Sequence, residues 1–272
     1  MAGSGLARRA RRSVAFWTPL ARLAPGLTAR IRFWLVAAEL TARHKFGRRA
    51  RRPRSVGLSS HGVDVSFAVG DIGELNGLRE VYVQGDYDLE PPEPPSVVLD
   101  LGGNIGAAAV YFATRWPQAR VVVAEPDPDA FGRLERNTSA FAQVRALPVA
   151  VAESEGEGRL HRSGYSLTSS LVPDGPGTAA TESVPVSTLT LDALVDRHCG
   201  GRVDLVKFDV EGAEYGVLRA FGRRGQVPTL VGELHEGTMS ASLTEFEELF
   251  PGHRVEIDPL PNGEHLFRAR AW

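Results

Sequence analysis

Cysteine is nearly missing from this chain, where Cys199 is the one thiol in 272 residues. That scarcity excludes a disulfide framework and a multi-cysteine metal site, and it suits a reducing cytoplasm, the expected location. Cys199 reads as a small residue near a helix end rather than a nucleophile. Long apolar runs are lacking too: no stretch reaches the roughly 18 to 20 residues of a membrane span. No uninterrupted apolar core with a small-residue cleavage site marks the N-terminal region, so a secretory signal is not expected. Acids are almost absent from one end. Residues 1–55 hold 14 of the 31 Lys and Arg and a single acid, Glu39, which leaves 17 positive and 32 negative charges for the rest. The net charge of -2 therefore conceals a basic head and an acidic body.

The length and a hydrophobic share of 43% suit one large α/β domain with an appendage. The expected organisation is a basic N-terminal extension over 1–55 and a domain over 56–272. In the head, Arg8 to Arg12 and Arg48 to Arg54 flank a stretch over 27–40. There Ile31, Trp34, Leu35 and Ala38 recur at helical spacing, which predicts an amphipathic helix, broken from what precedes it by Pro25 and Gly26. Basic amphipathic sequence suits peripheral contact with a membrane or a protein. A solvated arm whose helix docks on the body is the plainer reading. Nucleic acid is not expected, because the basic stretch lacks a recognisable binding fold and the body is acidic.

The body alternates in type. Residues 63–69 read as a strand and 73–87 as a short helix and turn, and the proline-rich 90–95 as an extended linker. Strands are expected over 97–101, 121–125, 144–151, 203–209 and 230–235. Helices are expected over 107–115, 128–140, 191–197 (capped by Thr190), 213–221 and 240–250. Residues 153–183, rich in Gly, Ser and Pro, read as a long excursion, with Tyr165 to Ser170 as a possible substrate entrance or a plain loop. Residues 254–258 and 265–269 suit a terminal hairpin. Near-continuous apolar strands separated by helices predict a parallel sheet covered on both faces.

The chemistry concentrates at strand ends, where open α/β sheets bind ligands. The first apolar run ends in Asp100 and turns through Gly102, Gly103, Asn104 and Gly106; the second ends in Glu125 and Pro126. An acid at that second tip accepts the two hydroxyls of a ribose, so an adenosine-containing cofactor is expected. A dinucleotide fingerprint needs Gly-x-Gly-x-x-Gly, yet position 104 is Asn and position 107 is Ala. The amide of Asn104 both donates and accepts, which suits a small zwitterion. Together with acids at 100, 125 and 209, it favours the cationic S-adenosylmethionine over a pyrophosphate.

Asp209 and Glu211 end the fourth core strand and share a side if strand geometry persists. They suit an ammonium, a metal ion or a substrate hydroxyl. Glu233 and His235 end the fifth, where a histidine titrating near neutrality is suited to take a hydroxyl proton. No required metal is expected.

The stretch from Asp100 to Gly106, Glu125 with Pro126, Asn137, Leu205 to Glu214, Glu233 to His235 and the earlier Arg79 to Tyr87 together resemble the FkbM-type methyltransferases over about residues 60–270. Lys207 to Glu214 is the most specific part. The resemblance implies a class I methyltransferase fold: a Rossmann-like α/β three-layer sandwich with a mostly parallel seven-stranded sheet, here behind a helical basic extension. It implies S-adenosylmethionine as cofactor, with O-methylation of a hydroxyl on a sugar, polyketide or other small metabolite. By position, Asp100, Gly102, Asn104 and Gly106 would line the methionine half, Glu125 would hold the ribose, and Asp209 with Glu211 would sit beside the reactive methyl. Asp209, Glu211 and His235 are the candidates for removing the proton. Gly103 departs from the pattern, which more often has Ala there, and the Arg-rich head lies outside it. The rivals are a nucleotide-dependent oxidoreductase or transferase of the same sheet class, and a non-catalytic module that binds an adenosyl ligand.

Overall fold

A computed structural model describes residues 2–46 (2–11 by their backbone), 52–162, 171, 182–235, 239, 241–260 and 263–272. The chain divides into two compact units, Met1–Gly85 and Asp86–Trp272.

The first unit opens with two helices, α1 (Ala2–Arg22) and α2 (Gly26–Lys45). Pro25 precedes α2, and Gly26 at φ 76° makes the break between them. A tight antiparallel hairpin follows, β1 (Arg54–Ser60) with β2 (Val63–Val69), turning through His61 and Gly62 at positive φ. Thus β1 spans the 55/56 boundary expected from sequence and pairs with β2 along its whole length. Helix α3 (Ile72–Arg79) is capped by Asp71, whose carboxylate accepts the Glu74 N–H at 3.0 Å. The expected helix over 27–40 forms, but it buries Phe33, Val36, Ala37 and Leu40. Of the predicted apolar face, Ile31, Leu35 and Ala38 are exposed. Apolar residues occupy both faces of α2, so periodicity did not settle which side faces in.

In the second unit the alternation is borne out. Strands β3 (Val97–Leu101), β4 (Arg120–Ala124) and β5 (Val144–Leu147) alternate with α4 (Ala107–Arg115) and α5 (Pro128–Thr138). Then come β6 (Val149–Val151), β7 (Gly156–Arg162), β8 (Glu182–Leu189), α6 (Leu191–His198), β9 (Leu205–Phe208), α7 (Glu214–Ala220), β10 (Thr229–Leu234), α8 (Leu243–Glu247), β11 (His253–Pro259) and β12 (His265–Ala271). The main sheet has seven strands in the order β11-β12-β10-β9-β3-β4-β5. β10, β9, β3, β4 and β5 run parallel, and β12 lies antiparallel between β10 and β11. Burial on both faces explains the continuous apolar strands: Leu99, Leu101, Val122, Val206 and Leu230 share a core with helix residues Leu194, Leu218 and Phe246, and Val98, Val121, Val123 and Leu205 on the opposite face are buried as well. Cys199 is buried at the end of α6, where burial pushes its thiol up to about 11, as expected of a structural residue.

Two sequence expectations change. The third strand is split at Pro148, and only its first half joins the main sheet. Its second half, β6, pairs with β8, and β8 pairs with β7, in a separate three-stranded sheet. The stretch over 153–183 expected as a long excursion therefore contributes β7 and the start of β8. Tyr165 to Ser170 lie outside the described residues.

Candidate active site

The strand order reverses between β3 and β9, so the two neighbouring tips splay their following loops apart and leave a crevice. Asp100 belongs to β3 and Asp209 directly follows β9. Asp209 donates its N–H to Leu101 O at 3.1 Å, which pins the two tips together. Gly102 has φ 74°, and a Cβ there would meet the Asp209 carbonyl oxygen at 1.7 Å. Only glycine permits that approach. Gly106 starts α4 at φ 86°, where a Cβ would press on Leu134 of α5 at 2.8 Å. Asn137 at the end of α5 steadies this turn by donating to Ile105 O at 2.8 Å.

Around the crevice lies a cleft of about 600 Å³, open solvent included. Gly102, Asn104, Glu125, Pro126, Asp209 and Glu211 line its polar side. Val149, Ala150 and Val151 of β6, with Leu160 of β7, line an apolar side. The second sheet thus supplies the apolar wall, a role its sequence did not announce. Asp100, Gly106 and His235 do not line the cleft; they stand behind it.

Glu125 is buried and holds the loop in shape. Its Oε2 accepts the Asn104 N–H and its Oε1 the Asp127 N–H, each at 2.7 Å. Burial pushes its pKa up to about 7, against the pull of those two N–H groups. Asn104, at φ 46°, has its side-chain Oδ1 buried with no hydrogen-bond partner among the described residues. These groups fit S-adenosylmethionine. The orphaned Asn104 oxygen is an acceptor for an ammonium, Glu125 retains a free lone pair on each oxygen for ribose hydroxyls, and the apolar wall suits adenine.

Behind this loop sits Lys207, which is buried although it lies inside an apolar strand. Its Nζ donates to Gly102 O at 2.8 Å and lies 3.2 Å from Asp100 Oδ1 and 3.4 Å from Asp209 Oδ2. Burial opposes its charge, but Asp100 and Asp209 outweigh it and push its pKa up. Asp100 is fully buried, and neither oxygen makes an aligned hydrogen bond among the described residues. Burial pushes its pKa up, and the nearby ammonium restrains the shift. Lys207 therefore ties Asp100 and Asp209 to the glycine turn. A lone cation between two acids in an apolar strand was the available signal, which sequence reasoning left without a role.

Asp209 leads into a turn with Glu211 at φ 55° and Gly212 at φ 99°. Positive φ at a glutamate is strained backbone, held here at the mouth of the cleft. Glu211 Oε2 lies 3.3 Å from His235 Nε2, and the other ring nitrogen, Nδ1, meets Glu214 Oε1 at 2.8 Å. Glu214 is fully buried and also accepts the Gly212 N–H at 3.0 Å. Burial opposes a charge on His235, yet the Glu214 hydrogen bond and the charges of Glu211 and Asp209 push its pKa up to about 11. Burial and the neighbouring acids hold Glu211 well above the usual carboxylate range, against the pull of His235. The carboxylate that grips His235 most closely is thus Glu214, the first residue of α7.

Glu233 accepts the hydroxyl of the buried Tyr87 at 3.2 Å. Asp209, Glu233 and His235 have potential ligand atoms within 4.8 Å of one another, a spacing compatible with a metal ion. Tyr87, Lys207, Glu211, Glu214 and Glu264, whose Oε1 lies 3.6 Å from His235 Nε2, surround this group.

Residues 100–262 match the Methyltransferase FkbM domain. The Hexuronic acid methyltransferase AglP of Haloferax volcanii is 29% identical over 191 residues, covering 68% of this chain and 76% of that protein. Methyltransferase 1 of Beauveria bassiana is 29% identical over 167 residues, 52% of this chain and 64% of the relative. The 2-O-methyltransferase NoeI of Sinorhizobium fredii is 29% identical over 150 residues, 48% and 58% respectively. The domain match covers more than half of the chain, and this protein is a methyltransferase of the FkbM family.

Proposed function

We propose that this chain is an S-adenosylmethionine-dependent O-methyltransferase acting on a hydroxyl of a small metabolite, sugar or polyketide-type product. The observation that carries the reading is the acid-rich crevice, with Glu125, Asp209 and Glu211 on one polar wall beside the orphaned Asn104 oxygen. The name of one relative, a 2-O-methyltransferase, supports oxygen as the acceptor atom, and that of another, a hexuronic acid methyltransferase, supports a sugar-type acceptor.

When bound, S-adenosylmethionine supplies an electrophilic methyl on a sulfonium. The chain's own tasks are alignment, exclusion of water and removal of one proton from the acceptor hydroxyl. Glu125 orients the ribose, and Asn104 with Asp209 orients the amino-acid end. Glu211 takes the hydroxyl proton. It lines the cleft, and the charge of His235 beside it favours the ionised form that can accept a proton. His235, already charged and fixed by Glu214, positions Glu211 and balances the surrounding acids.

Calorimetry with S-adenosylhomocysteine and with NAD tests the cofactor, since saturable binding of NAD alone sinks this reading. Glu211→Gln is expected to cut methyl transfer about 10²- to 10⁴-fold while leaving S-adenosylhomocysteine binding within a few-fold. Full turnover in that variant removes Glu211 from the role.

A further inference from the structure

Helix α2 presents an apolar stripe to solvent. Leu27 is 74% exposed, Ile31 53% and Leu35 67%. They fall at i, i+4 and i+8, on one line along the helix, and the exposed Ala38 and Ala42 continue that line. The opposite face is fully engaged, since Phe33, Val36, Ala37 and Leu40 are buried in the first unit. The stripe is therefore surplus to the packing of α2.

Charge borders it on both sides. At about 100° per residue, exposed Arg30 falls on one edge of the stripe and exposed Arg32 on the other, with Lys45 at the far end. The one acid in residues 1–55, Glu39, is neutralised by Arg54 at 2.6 Å and Arg43 at 2.8 Å. That leaves the helix strongly basic. Among the described residues no helix is long and apolar enough to cross a membrane.

We propose that α2 docks this protein on an anionic lipid surface. The Leu27–Ile31–Leu35 stripe enters the boundary between headgroups and acyl chains, and the arginines along its edges meet lipid phosphates. An interfacial helix has this composition: an apolar centre with basic borders. A second copy fits poorly, because two such faces would bring arginine against arginine. Nucleic acid fits poorly as well, because the apolar centre offers nothing to a phosphate backbone. Docking holds the first unit at a membrane.

Flotation of the full chain with vesicles tests this, using phosphatidylcholine alone against phosphatidylcholine mixed with phosphatidylglycerol. Binding is expected to the mixed vesicles, to weaken on raising salt, and to be weak on phosphatidylcholine alone. Replacing the stripe together (Leu27→Ser, Ile31→Ser, Leu35→Ser) is expected to lower partitioning by at least about tenfold. The melting temperature and S-adenosylhomocysteine affinity should be unchanged, because all three residues are exposed. The proposal is overturned if the wild-type chain stays off the mixed vesicles, or if the triple variant floats as well as wild type. It is equally overturned if light scattering shows a dimer that the triple variant dissolves without any effect on lipid binding. Loss of S-adenosylhomocysteine binding by the wild-type chain would count against the proposed activity, not against docking.

Discussion

Glu125→Gln is the sharpest perturbation of the cofactor pocket, because it keeps the shape of the side chain and changes its charge. In the wild-type protein each carboxylate oxygen accepts one backbone N–H at 2.7 Å, from Asn104 and Asp127, while facing the cleft. In the amide, one of those positions becomes an NH₂ group opposed to a backbone N–H. With the amide turned to keep both backbone N–H groups as well placed as it can, the ribose hydroxyls lose a charged acceptor, and losing a hydrogen bond to a charged acceptor costs about 1.5–3 kcal/mol. At about 1.36 kcal/mol per tenfold, that is on the order of 10- to 150-fold in S-adenosylhomocysteine affinity. The pH dependence supplies a second readout. Glu125 carries a pKa of about 7 because it is buried, and the ionised form is the one that accepts ribose hydroxyls. Affinity should therefore fall about tenfold per pH unit below about 7 and level off above it. The Gln variant has no proton to lose there, so its affinity should be flat across the same range. Stability follows the opposite sign. A carboxyl whose pKa is raised on folding contributes stability below its unfolded value, and that stability is lost as pH rises through about 7. Calorimetric titration of both proteins across pH measures the first effect. If Glu125→Gln keeps wild-type affinity together with the wild-type pH slope, the ribose is not held at Glu125 and the pocket is misplaced.

Other substitutions probe the support behind the cleft. Lys207→Met should leave Asp100 buried without its counter-ion and cost about 3–5 kcal/mol, read from the midpoint of urea unfolding; an unchanged midpoint would mean that Asp100 is neutral without help. In Gly103→Ala the new Cβ would lie 2.1 Å from Val123 Cγ1, so a loss of about 1–3 kcal/mol is expected. Adding Val123→Ala should return most of it in a thermal double-mutant cycle, and purely additive effects would contradict the steric account. His235 should stay protonated through neutral pH, its ion-pair stability present below about 6.5 and lost as pH rises through about 11. Glu214→Gln should lower the imidazole pKa by at least about one unit in an NMR titration, and no change would remove Glu214 as its partner.

Much of the molecule was legible along the chain, and the reasons are local. Apolar strands of period-less hydrophobicity alternating with helices can bury both faces only in a covered parallel sheet, so the order of elements followed from patterning. Glycine at 102 and 106 marked the turn because both positions combine positive φ with no room for a Cβ, against Asp209 at one and Leu134 of α5 at the other. Glu125 and Asp209 were placed at strand tips by counting. What spacing could not supply is which groups meet across separate strands. Lys207 reaches Asp100 and Gly102 through β3–β9 pairing, and His235 finds Glu214 from a neighbouring tip. The apolar wall of the cleft depends on β6 leaving the main sheet at Pro148, and alternation gives no warning of a change of sheet. The buried face of α2 was also invisible, because a helix apolar on two sides has no single preferred direction until its neighbours α1, β1 and α3 fix one. Local backbone chemistry is written in short stretches of residues. Burial, charge pairing and the choice between two apolar faces are set by contacts between segments far apart in sequence, and those exist only once the chain has folded.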